Sequence, residues 1–285
     1  MASFDFIGAA SKSYEQVWYY KGYLAKVAVP VVFVKVFCLL SVFMMNGDEA
    51  INILRGNLVM FPSYILEGIY YAMVARFIIF REPIFIWGKP VNPPEPSPQE
   101  KKGITYIHGA NFSRKTAIQA SVAFYLLVFL FFAVLGTTVM MPAADVLPVN
   151  TENEVQVIES ALPKQLIMII GLCVIAVMIW CVRYMVLSIP TAMGLKPGHF
   201  LRKLGGFDAS SKLVILIFLC TFPVMAILFP LRATLLVGIT SLPALFIILD
   251  VCTSVLLSLL VNTLTVFALV YATIEIMTGE EKEDH

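Results

Sequence analysis

Charge is scarce in this chain. Lys, Arg, Asp and Glu make up 14% of the residues and nearly cancel, leaving a net charge of +1 at pH 7. No global basic field exists to attract nucleic acid, so no nucleic-acid partner is expected. Histidine is scarcer still: His108, His199 and His285 stand alone, none beside another metal ligand. His108 in His-Gly-Ala-Asn reads as an ordinary loop histidine rather than a catalyst. The five cysteines (38, 173, 181, 220 and 252) all fall in apolar runs. None has zinc-site spacing, and an odd number does not make a disulfide framework. They read as small core residues. Gly-x-Ser-x-Gly, His-Glu-x-x-His, P-loop and dinucleotide fingerprints are missing, and no helix face carries paired carboxylates. No polar segment exceeds about 36 residues, short of the ~50 that a domain needs. A soluble catalytic domain is thereby excluded. The expectation is a non-enzymatic protein without cofactor or metal. The opening Met-Ala-Ser-Phe-Asp-Phe lacks a charged region leading into an apolar one, so no cleavable signal is expected.

Apolar residues are abundant instead. They form 59% of the chain, against about 45–50% in a soluble domain, and the mean hydropathy is +0.86. A surplus of this size faces lipid. A membrane-crossing helix needs about 20 mostly apolar residues. Six stretches qualify, at roughly 24–45, 57–80, 117–141, 164–190, 212–231 and 246–274. The expected fold is all-α: a single transmembrane domain over 1–285, a six-helix bundle of three hairpins (about 24–80, 117–190 and 212–274) with interfacial amphipathic segments. Residues 230–245 are apolar beyond the need of one span. They read as a re-entrant or interfacial piece, with a seventh span as the alternative.

Two stretches echo each other. Arg76-Phe-Ile-Ile-Phe-Arg-Glu-Pro83 and Arg183-Tyr-Met-Val-Leu-Ser-Ile-Pro190 both place an aromatic after an arginine and a proline seven positions on. Each looks like a helix leaving the bilayer on a basic side. Before the first span, residues 2–23 repeat apolar and aromatic positions at helical spacing (Phe4, Ile7, Ala10, Tyr14, Val17, Trp18), which predicts an interfacial amphipathic helix. A helix packed on loops is the plainer alternative. Residues 89–103 hold five prolines between 90 and 98 and read as an extended linker.

Topology follows from the basic residues. Of 20 Lys and Arg, thirteen lie in the N-terminal segment, the 81–116 and 191–212 loops and the tail. Only Arg55, Lys164 and Arg232 lie in the alternate loops. The positive-inside rule then places both termini and both basic loops in the cytoplasm.

Charges within spans are costly, roughly 2.5–3.5 kcal/mol each at the centre on insertion scales. Lys35 and Glu67 fall near mid-depth on consecutive antiparallel helices, so they are expected to pair. A helix-locking pair and a proton- or ion-carrying pair are both open. Lys26, Arg76 and Arg183 lie near cytoplasmic ends and are expected to reach lipid headgroups, as are Lys101, Lys102, Arg114 and Lys115 of the basic loop. Asp250 suits a cap or a partner for Arg232. Ser254, Ser258, Asn262, Thr263 and Thr265 are small polar residues of the kind found between packed helices. Pro223 and Pro230 are expected to kink or end the fifth span.

The run Arg183-Tyr-Met-Val-Leu-Ser-Ile-Pro190-Thr-Ala-Met, followed by His199-Phe-Leu-Arg-Lys-Leu-Gly-Gly, resembles bacterial six-helix inner-membrane proteins of the YciC-like type. These are similar to the membrane domain fused to some glycerophosphodiester phosphodiesterases. Tyr14-Glu-Gln-Val-Trp18 and Tyr271-Ala-Thr are also similar. The acidic 142–163 loop and the proline linker depart from that pattern. The resemblance implies the bacterial inner membrane and transfers no catalytic residue. The functions that suit the sequence are a scaffold, assembly factor or accessory subunit of a larger membrane complex, or a small-solute or lipid transporter centred on Lys35 and Glu67. Expected partners are membrane lipids and another membrane protein or a second copy of the chain.

Overall fold

The computed structural model describes residues 4–44, 49–84, 113–146, 176, 179–238 and 243–278. Among them are seven helices: α1 (Phe6–Phe43), α2 (Glu49–Phe80), α3 (Arg114–Val146), α4 (Ser188–Ala192), α5 (Pro197–Leu204), α6 (Phe207–Gly238) and α7 (Pro243–Thr278). The chain is a multi-spanning helical membrane protein. Among the described residues, four helices are long and apolar enough to cross a bilayer: Phe6–Phe43, Arg55–Phe80, Phe207–Ile227 and Ile247–Thr278. This corrects the expected six spans and three hairpins. The 117–141 stretch is helical within α3, which is not one of the four; its side chains beyond Leu130 lie outside the described residues.

Proline explains the end of the stretch expected at 164–190. Most of it lies outside the described residues, and the part that is described, Ile179–Ala192, is a short apolar helix. Pro190 has no N–H to give the Val186 carbonyl four positions back. That carbonyl accepts from Ile189 instead, at 3.1 Å, and Leu187 N–H bonds Tyr184 O at 3.3 Å. The helix tightens into turns and resumes as the single-turn α4.

The N-terminal segment is not a separate interfacial helix. Residues 6–43 form one helix of 38 residues, about 57 Å long at 1.5 Å per residue. Gly22 is the only candidate breaker near the expected boundary, and one glycine costs a helix only about 1 kcal/mol. Asp5 starts it: its carboxylate accepts from the backbone N–H groups of Ile7 and Gly8 at 3.1 and 3.0 Å, satisfying two donors that a first turn leaves open. Ala9, Ala10, Ser13, Val17 and Tyr20 are buried, so the N-terminal half packs into the bundle. Trp18, Tyr19, Phe33 and Phe37 project outward, exposed.

The helix α1 packs on α7, α2 and α6, and α6 packs on α7. Outside this group, α3 lies against α2, while α4 fits between α3, α2 and α7. Large apolar side chains such as Phe218, Phe222, Ile227 and Leu256 remain exposed on the flanks, where lipid would meet them. Of the 230–245 segment, the residues up to Gly238 complete α6 and those from Pro243 open α7, while 239–242 lie outside the described residues.

Proline also explains a contact between α1 and α6. Pro223 leaves the Leu219 carbonyl without its helical donor. The Tyr14 hydroxyl fills the gap, donating to Leu219 O at 3.2 Å and Cys220 O at 2.8 Å. Asp5 N–H donates to Glu275 Oε2 at 2.8 Å, so the first and last described helices begin and end together, at the end of the bundle that carries α5.

Candidate functional site

Four helices meet at one polar centre inside the bundle. Lys35 on α1 is 8% exposed and Glu67 on α2 is 1% exposed. The Lys35 Nζ donates to Glu67 Oε1 as a buried ion pair and to Ser258 Oγ on α7 at 3.1 Å. The second carboxylate oxygen of Glu67 accepts from Tyr125 OH on α3 at 3.1 Å. Each charge therefore meets its opposite and at least one hydroxyl, which is what low-dielectric surroundings demand of it. Gly68 makes room for this: a Cβ there would stand 3.0 Å from Tyr125 Cδ1. The Tyr64 ring packs on Phe129 at 3.6 Å between centroids and holds α3 to α2.

Toward α5, the next layer is also paired. Asn262 Nδ2 donates to Tyr71 OH at 3.0 Å, and Tyr70 and Thr263 hydroxyls lie 3.4 Å apart. Away from α5, Ser63 and Ser254 sit one helical turn from Glu67 and Ser258. Their buried Oγ atoms have no hydrogen-bond partner.

A second network joins the helix ends near α5. Arg76 is buried and does not lie at a lipid-facing surface. Its Nε and Nη2 grip both carboxylate oxygens of Glu82, at 2.8 and 2.6 Å. Its Nη1 donates to Ala192 O at 3.0 Å, tying α2 to α4. Glu82 also pairs with Arg114, at 3.0 Å. Between them Arg81 takes φ +54°, a left-handed conformation that L-residues with a Cβ rarely adopt. Its side chain is anchored on Tyr20 OH at 3.1 Å. Arg183, the sequence echo of Arg76, has a different setting. It stacks over Trp180 at 3.6 Å, is half-exposed, and reaches Gly205 O at 3.5 Å. The two are not equivalent members of a repeat.

Of the other residues expected at headgroups, Lys26, Arg114 and Lys115 are exposed, while Lys101 and Lys102 lie outside the described residues. Lys21 sits 3.6 Å over the Trp18 ring. Arg183 on Trp180 and Lys21 on Trp18 are basic–aromatic pairs of the type found at membrane interfaces. Asp250 is buried near the start of α7; the side chain of Arg232 lies outside the described residues. Among the described residues no group of three His, Cys, Asp or Glu is placed to hold a metal. Cys38, Cys181, Cys220 and Cys252 are free thiols.

No family model, curated protein or solved structure matches this chain. The reading of its function therefore rests on its own residues. Sequence reasoning missed Tyr125 and Glu82, and also Ser63, Tyr70, Tyr71 and the contact of Tyr20 with Arg81. Tyr125 carried a usable signal: it lies about 17 Å along α3 from Arg114, and Glu67 about 20 Å along α2 from Phe80, at 1.5 Å per residue. Equal depth from a common end brings them level. Glu82 carried none, because it follows the helix end, where the turn at Arg81 decides its direction.

Proposed function

We propose that this chain is a non-enzymatic scaffold, assembly factor or accessory subunit of a larger membrane complex. The observation that carries this reading is the mutual satisfaction of Lys35, Glu67, Tyr125 and Ser258, which cross-links α1, α2, α3 and α7. Spent on each other, these groups lock a bundle rather than present a charge to a substrate. The Arg76–Glu82–Arg114 network, with its bond to Ala192 O, fixes the other end in the same way. A rigid bundle with wide apolar flanks suits a protein whose task is to hold another membrane protein or a second copy of itself. The bacterial inner membrane is its proposed site, with both termini cytoplasmic. That placement is supported by the basic 81–116 and 191–212 loops and by the bond between Asp5 and Glu275, which brings the two ends together. Lipid phosphate at Lys26, Arg183, Lys101, Lys102, Arg114 and Lys115 would anchor this end.

The test is purification of the tagged chain from its native membrane in mild detergent, followed by native mass spectrometry. A partner or second copy at fixed stoichiometry is expected. A second reading, a small-solute or lipid transporter, is favoured by one observation: Ser63 and Ser254 leave hydroxyls unpaired beside the ion pair. It requires Glu67→Gln to abolish transport in reconstituted vesicles while the bundle stays folded.

A further inference from the structure

The side of the polar centre turned away from α5 differs from the side turned toward it. Ser63 is fully buried one turn from Glu67, and Ser254 lies one turn from Ser258 with its Oγ equally enclosed. Residues four apart share a helix face, so each hydroxyl continues the row that holds Glu67 or Ser258. On α7 the row runs one turn further, to buried Asp250. Asp250, Ser254, Ser258 and Asn262 thus form a polar ladder along one face of α7, and its outer part covers about 12 Å between Asp250 and Ser258. Toward α5 the ladder stops. Beyond the Tyr71–Asn262 and Tyr70–Thr263 contacts, Val74, Ala75, Phe77, Phe267 and Val270 are each no more than 1% exposed.

A buried hydroxyl that has lost its hydration needs a replacement partner. Two such hydroxyls on one side of an ion pair fit a small molecule that both donates and accepts. Water meets that need where two to four polar partners converge, and Ser63 beside Glu67 and Ser254 beside Ser258 are such groups. The Lys35 ammonium argues against a metal cation in the same place.

We propose that water enters the bundle from the end opposite α5, is held by Ser63 and Ser254, and reaches the Lys35–Glu67 pair. The pair is then the floor of a one-sided aqueous vestibule, closed toward α5 by the apolar layer beneath it. The inference does not depend on the scaffold reading.

The test is thiol accessibility in sealed vesicles. The five native cysteines are replaced, and single thiols are introduced as Ser63→Cys and Ser254→Cys. Each is challenged with silver ion in chloride-free buffer from either side. Block is read as loss of maleimide labelling after denaturation. Arg202→Cys, exposed on α5, reports the α5 side. Leu256→Cys, 56% exposed on the flank, reports the lipid. The proposal expects both serine-site thiols to be blocked from the side opposite Arg202→Cys and protected from its own side. Leu256→Cys should stay unreactive, because a thiol in lipid does not ionise. Protection of both serine-site thiols from both sides, or block from the α5 side, overturns it. The two variants stand on different helices and differ from serine by one atom, so failure of one to fold leaves the other to decide.

Discussion

Replacing Lys35 with methionine removes the donor that Glu67 and Ser258 share. The Glu67 carboxylate, 1% exposed, would keep Tyr125, at 3.1 Å, as its one protein partner in this centre. Breaking one member of a buried pair costs about 3–5 kcal/mol, because the other charge is left uncompensated. Glu67→Met should cost a similar amount by stranding the Lys35 ammonium. Replacing both removes both charges and leaves only the Tyr125 and Ser258 hydroxyls short of a partner, at about 1 kcal/mol each. The double variant should therefore be more stable than either single one, with a coupling of at least about 4 kcal/mol. Equilibrium unfolding in mixed micelles titrated with a denaturing detergent measures all three. Single losses that simply add in the double variant would refute the account of a mutually satisfied pair.

Four further outcomes follow from other residues. Tyr14→Phe should cost about 1 kcal/mol by exposing the Leu219 carbonyl that Pro223 leaves open; in a Pro223→Ala background the helix supplies that donor itself, and the same substitution should be nearly silent in the same unfolding assay. Arg76→Lys should cost about 3 kcal/mol, since a lysine cannot grip both oxygens of Glu82 and also reach Ala192 O; thermal unfolding followed by size exclusion reads the loss. Gly68→Ala should push Tyr125 away from Glu67 and destabilise the bundle by about 1–3 kcal/mol, and Tyr125→Ala in the same chain should relieve the overpacking. Neutralising Lys101, Lys102, Arg114 and Lys115 together should reduce retention on vesicles of anionic lipid. Arg114 is expected to contribute least, because it is already paired with Glu82.

The membrane class was legible because composition alone demands lipid contact. The depth argument for Lys35 and Glu67 needed only 1.5 Å per residue and two helix ends, and the structure places their side chains in contact. What failed did so for local reasons. Amphipathic spacing in residues 2–23 suggested a separate helix, yet nothing between Tyr19 and Leu24 stops an α-helix, so α1 runs through. The described end of the 164–190 stretch, residues 179–190, looked continuous because hydropathy does not register a missing N–H. Pro190 acts through the Val186 carbonyl, a backbone effect felt four residues back. Arg76 was read as reaching lipid because its depth is right for that; Glu82, six residues on, folds back only after the left-handed turn at Arg81. Ser254 looked like an ordinary helix-packing residue and Ser63 drew no reading at all; only the three-dimensional arrangement singles out their hydroxyls as unpartnered.

The central claim is that the polar centre locks a bundle whose task is to hold a partner. The most direct test compares the wild-type chain with Lys35→Leu/Glu67→Leu, both purified from native membrane and weighed by native mass spectrometry. The account predicts a partner or second copy at the same fixed stoichiometry in both. A wild-type chain that emerges alone would contradict the claim, as would a folded double variant that has lost its partner.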